Sequence, residues 1–134
     1  MKIAVGATDA GLDADVDSHF GRCECFVVVE TNDMTFEVVR NASESLAGGA
    51  GIQSARLLAK RGCDVVLTGN CGPNAHRTLT AAGIDVVVGC VGSVADAVAR
   101  FSAGEFSPSR EPSVTTHSGA GRQKRGTPDS GVSR

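Results

Sequence analysis

The chain holds 134 residues, which fits one core: compact units cluster at roughly 100 to 150 residues, and a second core would have too few side chains to fill it. Hydrophobic residues make up 41% and charged residues 21%, the balance of an ordinary globular protein, which argues against wholesale disorder and membrane residence. A net charge of −2, with 4% aromatics and neither Trp nor Tyr, disfavours nucleic-acid binding by base stacking and leaves recognition to backbone, glycine and small side chains.

Residues 2–8 are short, β-branched and closed by polar residues, as a buried strand is. A loop rich in Asp and Gly follows over 9–21, then residues 25–30 read as a second strand of high β-propensity. Asn32-Asp33 supplies a turn and residues 35–40 return as a third strand, so the pair forms a hairpin. After a loop over 41–51, Ile52, Ala55, Leu58 and Ala59 recur at helical spacing, with Gly62 placed to stop the helix. Residues 64–68 form a compact apolar strand. Pro73 suits the first turn of a second helix carrying Ala75, Leu79 and Ala82 and ending at Gly83. Residues 84–88 give a fifth strand, and Ser93 caps a third helix with Val94, Ala97, Val98 and Phe101 that Gly104 stops. The order is β-β-β-α-β-α-β-α. Strands separated by helices pair in parallel through right-handed crossovers, while the hairpin contributes one antiparallel strand, so the expectation is an α/β fold with a mixed five-stranded sheet flanked by helices.

The pattern stops near Phe106. Residues 107–134 hold five basic residues against two acidic ones, net +3, leaving −5 on residues 1–106. Their Ser, Gly, Pro and Arg content offers little apolar surface to offset ordering entropy, so the expected organisation is one domain over 1–106 and a flexible, disordered basic tail over 107–134. The N-terminal residues show neither a long apolar stretch nor a cleavage site, and no apolar run nears the roughly 18 residues that cross a bilayer; the expected location is cytoplasmic, with no membrane or nucleic-acid partner. Five cysteines in a reducing compartment are expected as free thiols or metal ligands rather than disulfides.

In an open α/β sheet, ligands collect beyond the carboxyl ends of the parallel strands, where helix N-termini present N–H groups. Three loops are expected to converge there: 9–21, the run Gly48-Gly49-Ala50-Gly51, and Gly69-Asn70-Cys71-Gly72-Pro73. The sharpest feature is Asp17-Ser18-His19-Phe20-Gly21-Arg22-Cys23-Glu24-Cys25. It combines imidazole, guanidinium and two thiols, and a Cys-x-Cys pair in extended chain projects both sulfurs to one face. Cys71 joins them if the loops meet; His76 is expected on an exposed helix face, and Cys63 and Cys90 as inert packing. Cysteines spaced by one residue, with no second pair nearby, disfavour a structural zinc site. A calcium loop is disfavoured because Asp13, Asp15 and Asp17 lead to Ser18 where the sixth position requires glycine. No nucleophile elbow, P-loop or dinucleotide fingerprint is present.

The run His19-Phe20-Gly21-Arg22, the glycine loop 48–51 and the segment 68–75, with Gly69, Asn70, Gly72, Pro73 and Asn74, resemble the dinitrogenase iron-molybdenum cofactor biosynthesis family across residues 1–106. The family includes nitrogenase accessory proteins that bind or transfer cofactor precursors and an orange protein holding a molybdenum-copper sulfide cluster. The resemblance implies a ribonuclease-H-like mixed sheet and a non-catalytic protein that binds, carries or chaperones an anionic metal-sulfur cluster, of iron-molybdenum or molybdenum-copper type, in nitrogen-fixation or cofactor assembly. It places His19, Phe20, Gly21, Arg22, Gly48, Gly49, Gly51, Gly69, Asn70, Gly72, Pro73 and Asn74 around the cluster. The candidate metal ligands are Cys23, Cys25, Cys71 and His19. Two departures from the family pattern stand out: the glycine loop lacks the histidine many relatives carry, and Cys23, Cys25 and Cys71 replace apolar residues. The alternative is a regulatory or scaffold module that engages a protein partner without a cluster; a small hydrolase using Cys71 and His19 is a weaker third.

Overall fold

The computed structural model describes residues 1–41 and 49–108. Gly48 and nearly all of the basic tail lie outside the described residues. The elements run β1 (Lys2–Ala7), a 3₁₀ turn (Phe20–Arg22), β2 (Cys25–Glu30), β3 (Thr35–Arg40), α1 (Ala50–Lys60), β4 (Val65–Leu67), α2 (Pro73–Ala81), β5 (Asp85–Val87) and α3 (Val94–Ser102). Every strand and helix expected from the sequence is present in the expected order. The 3₁₀ turn is a feature the sequence pattern does not show; it begins at the end of the loop over 9–21 and runs to Arg22.

The strands lie in the order β3-β2-β1-β4-β5. β1 pairs with β4, and β4 with β5, in parallel, while β2 pairs antiparallel with both β1 and β3. Strand β2 alone therefore runs against the others, as hairpin connections on either side of it require. Side-chain alternation then sorts each central strand between two apolar layers. Under α1 and α2 lie Ala4, Phe20, Phe26, Leu58, Val66 and Leu79. Under α3 lie Ile3, Val5, Val27, Leu67, Val94 and Val98. Burying each large side chain contributes about 1.5 to 3 kcal/mol, so both faces of the sheet are needed to hold so small a domain. Among the described residues, no helix is long and apolar enough to cross a membrane.

The consequence for function lies at one end of the sheet. Parallel β1, β4 and β5 deliver their carboxyl-terminal loops to the same edge, and each of the helices following β3 and β4 begins there.

Candidate functional site

The loops after β1 and β4 are stitched by backbone and side chain. Phe20 N–H donates to the Asn70 carbonyl at 3.1 Å and Gly69 N–H to the Asp17 carbonyl at 3.1 Å. Asn70 Nδ2 donates to the Ser18 carbonyl at 3.1 Å, and His19 and Asn70 form a parallel bridge. The approach is close enough to demand glycine: a Cβ on Gly69 would lie 2.7 Å from Ser18 Cα. The loop after β5 joins through Gly89 N–H to the Gly69 carbonyl at 2.8 Å and Val16 N–H to the Gly92 carbonyl at 2.9 Å.

The 3₁₀ turn also packs on the start of α1. A Cβ on Gly21 would stand 2.8 Å from both N and Cα of Gly51, and one on Gly51 would stand 2.9 Å from Ala75 Cβ in the first turn of α2. Thus Gly21, Gly51 and Ala75 draw the turn and the starts of two helices together, and the convergence expected from the sequence is met. Gly49 and Gly72 are the N-caps of α1 and α2, neither helix has a side-chain cap hydrogen bond, and neither has an acidic residue in its first turn. By contrast, α3 has Ser93 accepting from the Asp96 N–H and an acidic first turn. Among the described residues, the first turns of α1 and α2 therefore carry no acidic side chain, and their positive dipole ends meet beside the turn that bears Arg22, a setting that favours an anion.

His19 and Arg22 are exposed, His19 held by its N–H to Asp17 Oδ1 at 3.0 Å and by a 3.0 Å contact of its Nδ1 with Ser18 Oγ. Pro73 and Asn74 are exposed on the first turn of α2, where Asn74 Oδ1 accepts from Arg77 at 3.3 Å. Phe20 does not line the opening. It is buried, its ring 5.3 Å from that of Phe26, and it anchors the turn to the core.

The thiols gather only in part: Cys23 and Cys71 lie in the same apolar layer and Cys25 in the other. Cys23 and Cys25 enter different apolar layers, Cys23 donating to the Phe20 carbonyl at 3.2 Å and Cys25 to the Asp9 carbonyl at 3.3 Å. The reason is local: strand alternation begins at Cys25, and Cys23, the C-cap that follows the 3₁₀ turn, precedes the strand. Burial pushes the Cys71 thiol up to about 12. It also raises Cys23 far above an ordinary thiol, aided by the nearby Asp17 carboxylate and by Cys25. Among the described residues, no three His, Cys, Asp or Glu side chains form a metal-ligating group. His76, expected on an exposed face, is buried in α2.

Sequence reasoning missed the loop after β5. A cleft of about 560 Å³ is lined by Asp15, Val16, Ser18, Gly69, Asn70 and the segment 89–92, so Cys90 borders a cavity in addition to packing the core. The signal was present in Gly89-Cys90-Val91-Gly92, a glycine-flanked loop after a parallel strand.

A family described as dinitrogenase iron-molybdenum cofactor matches residues 1–104. An uncharacterized protein of Methanocaldococcus jannaschii is 32% identical over 109 residues, covering 79% of this chain and 89% of that protein. The apo form of the orange protein from Desulfovibrio gigas superposes with a TM-score of 0.83 at 45% identity, over 84% of this chain and 96% of that one. The NMR structure of a NifB-like protein from Thermotoga gives 0.72 at 30% identity, over 88% and 98%.

Proposed function

Because the chain belongs to the dinitrogenase iron-molybdenum cofactor family, we propose that it is a non-catalytic carrier or chaperone whose cargo is an anionic metal-sulfur cluster. The observation that carries this reading is the meeting of two helix starts, capped by glycine and with no acidic residue in their first turns, with the turn that bears Arg22. Sulfide-rich clusters are large, soft anions. Backbone N–H groups and a guanidinium suit them, supplying directed hydrogen bonds and compensating charge without a protonation step. The cleft lined by Ser18, Gly69, Asn70 and the loop after β5 lies on the loops that carry these groups. The strand order, with β2 alone reversed, supports a ribonuclease-H-like reading of the sheet and implies no nuclease chemistry.

Ligation by Cys23, Cys25 and Cys71 is the less favoured form of the proposal. A thiolate is the ligating species, and burial holds Cys23 and Cys71 protonated at neutral pH. Holding by amides, Arg22 and His19 needs no such ionisation. Iron-molybdenum and molybdenum-copper sulfide species both satisfy this chemistry, and the exposure of His19, Arg22, Pro73 and Asn74 suits transfer to a protein partner in cofactor assembly.

The test is anaerobic reconstitution with tetrathiomolybdate, alone, with Cu(I), or with iron sulfide, read by charge-transfer absorbance and metal analysis after gel filtration. Stoichiometric retention supports the reading. A wild-type chain that elutes free of molybdenum and iron under all three conditions removes it.

A further inference from the structure

Arg22 is the last residue of the 3₁₀ turn, and the carbonyls of Gly21 and Cys23 flank it ahead of β2, which begins at Cys25. Both accept from one group: Asn41 Nδ2 is 3.2 Å from the Gly21 oxygen and 2.9 Å from the Cys23 oxygen. A primary amide carries two N–H donors and an acceptor oxygen, so it can bracket one residue while its oxygen is held elsewhere. Ser54 does the holding, its hydroxyl donating to Asn41 Oδ1 at 2.9 Å. The Asn41 backbone N–H adds a bond to the Glu24 carbonyl at 3.2 Å.

These contacts join three elements, with Asn41 directly after β3, Ser54 within α1 and Arg22 ending the turn. Asn41 and Ser54 are both 0% exposed. Buried amides and hydroxyls oppose folding unless bonded, and an apolar pair would fill the same space without that requirement. A satisfied polar network in such a place specifies one backbone arrangement, here that of the residues flanking Arg22.

We propose that Asn41, oriented by Ser54, is a positioning residue that fixes the backbone of Arg22 so that its guanidinium meets an anion beside the starts of α1 and α2. The role assigned to Arg22 rests on the cluster-carrier reading; the clamp itself rests on the hydrogen bonds alone.

Two measurements on the full chain separate the two. Amide hydrogen exchange at Arg22 is compared in wild type, Asn41→Ala, Ser54→Ala and Val98→Ala, the last a truncation in the opposite core layer. Exchange at Arg22 is expected to quicken roughly tenfold or more in the first two variants and to stay near wild type in the third. Tetrathiomolybdate affinity is then measured for Ser54→Ala, Arg22→Ala and the double variant. Ser54→Ala is expected to weaken binding roughly tenfold alone and to add nothing once Arg22 is alanine. Unchanged exchange at Arg22, or fully additive losses of affinity, overturns the proposal. If Asn41→Ala does not fold, the milder Ser54→Ala carries both measurements. A wild type that takes up no thiomolybdate while the exchange pattern holds removes the carrier reading and supports the clamp.

Discussion

A side chain begun on Gly51 would meet Ala75 Cβ at 2.9 Å, so the starts of α1 and α2 touch where one of them has only a hydrogen. This contact, continued by Gly21 on the other side of Gly51, brings two helix dipoles to bear on one small region. Neither residue carries chemistry of its own; their smallness sets where the chemistry of others is directed.

Gly51→Ala gains about 1 kcal/mol of helix propensity and incurs an overpacking cost of about 1 to 3 kcal/mol, because two helices must separate. A net loss of about 1 kcal/mol is expected in urea denaturation, restored when Ala75→Gly is added. A Gly51→Ala chain more stable than wild type would show that the helices do not approach this closely.

Gly69→Ala drives a Cβ to 2.7 Å from backbone at Ser18, where no side chain can swing aside. We expect a loss of about 2 kcal/mol or more, with weaker uptake of thiomolybdate by the fraction that remains folded. Unaltered stability would show that the loops after β1 and β4 can part at no cost.

Arg22→Ala is expected to weaken thiomolybdate retention by roughly tenfold and Arg22→Lys by less, since Lys keeps the charge that Ala loses but only Arg offers a forked donor. Isothermal titration under anaerobic conditions measures both. Equal affinity in all three chains would place the anion elsewhere.

Thiol burial makes a pH prediction with a definite sign. The folded values of Cys71, near 12, and of Cys63 and Cys90, near 11, lie above the ordinary value of 9.0, so above pH 9 the unfolded chain releases protons that the folded chain keeps. The stability these thiols contribute is fully present below pH 9 and is lost as pH rises toward 11 and 12, by at most about 1.4 kcal/mol per pH unit for each thiol. Denaturation midpoints are expected to be insensitive to the thiols from pH 7 to 8.5 and to fall above 9, with a shallower fall in Cys71→Ala. An identical alkaline slope in that variant would place the thiol in contact with water.

The sequence by itself determined the elements and their order, because hydrophobic period and glycine stops are local properties: each helix ends just before Gly62, Gly83 or Gly104. It also determined the meeting of the loops carrying His19, Arg22 and Asn70, since parallel strands deliver their carboxyl ends to one edge. Tertiary structure alone decided what each side chain does there. Whether Cys23 shares a face with Cys25 depends on the residue at which strand alternation starts, and the 3₁₀ turn delays that start to Cys25. Whether Phe20 lines the opening or anchors it depends on Phe26 across the turn. The clamp formed by Asn41 and Ser54 joins residues 13 apart through a bond no periodicity encodes. Local pattern fixes which segments are apolar, but the partner of a buried polar atom is set by packing between distant segments.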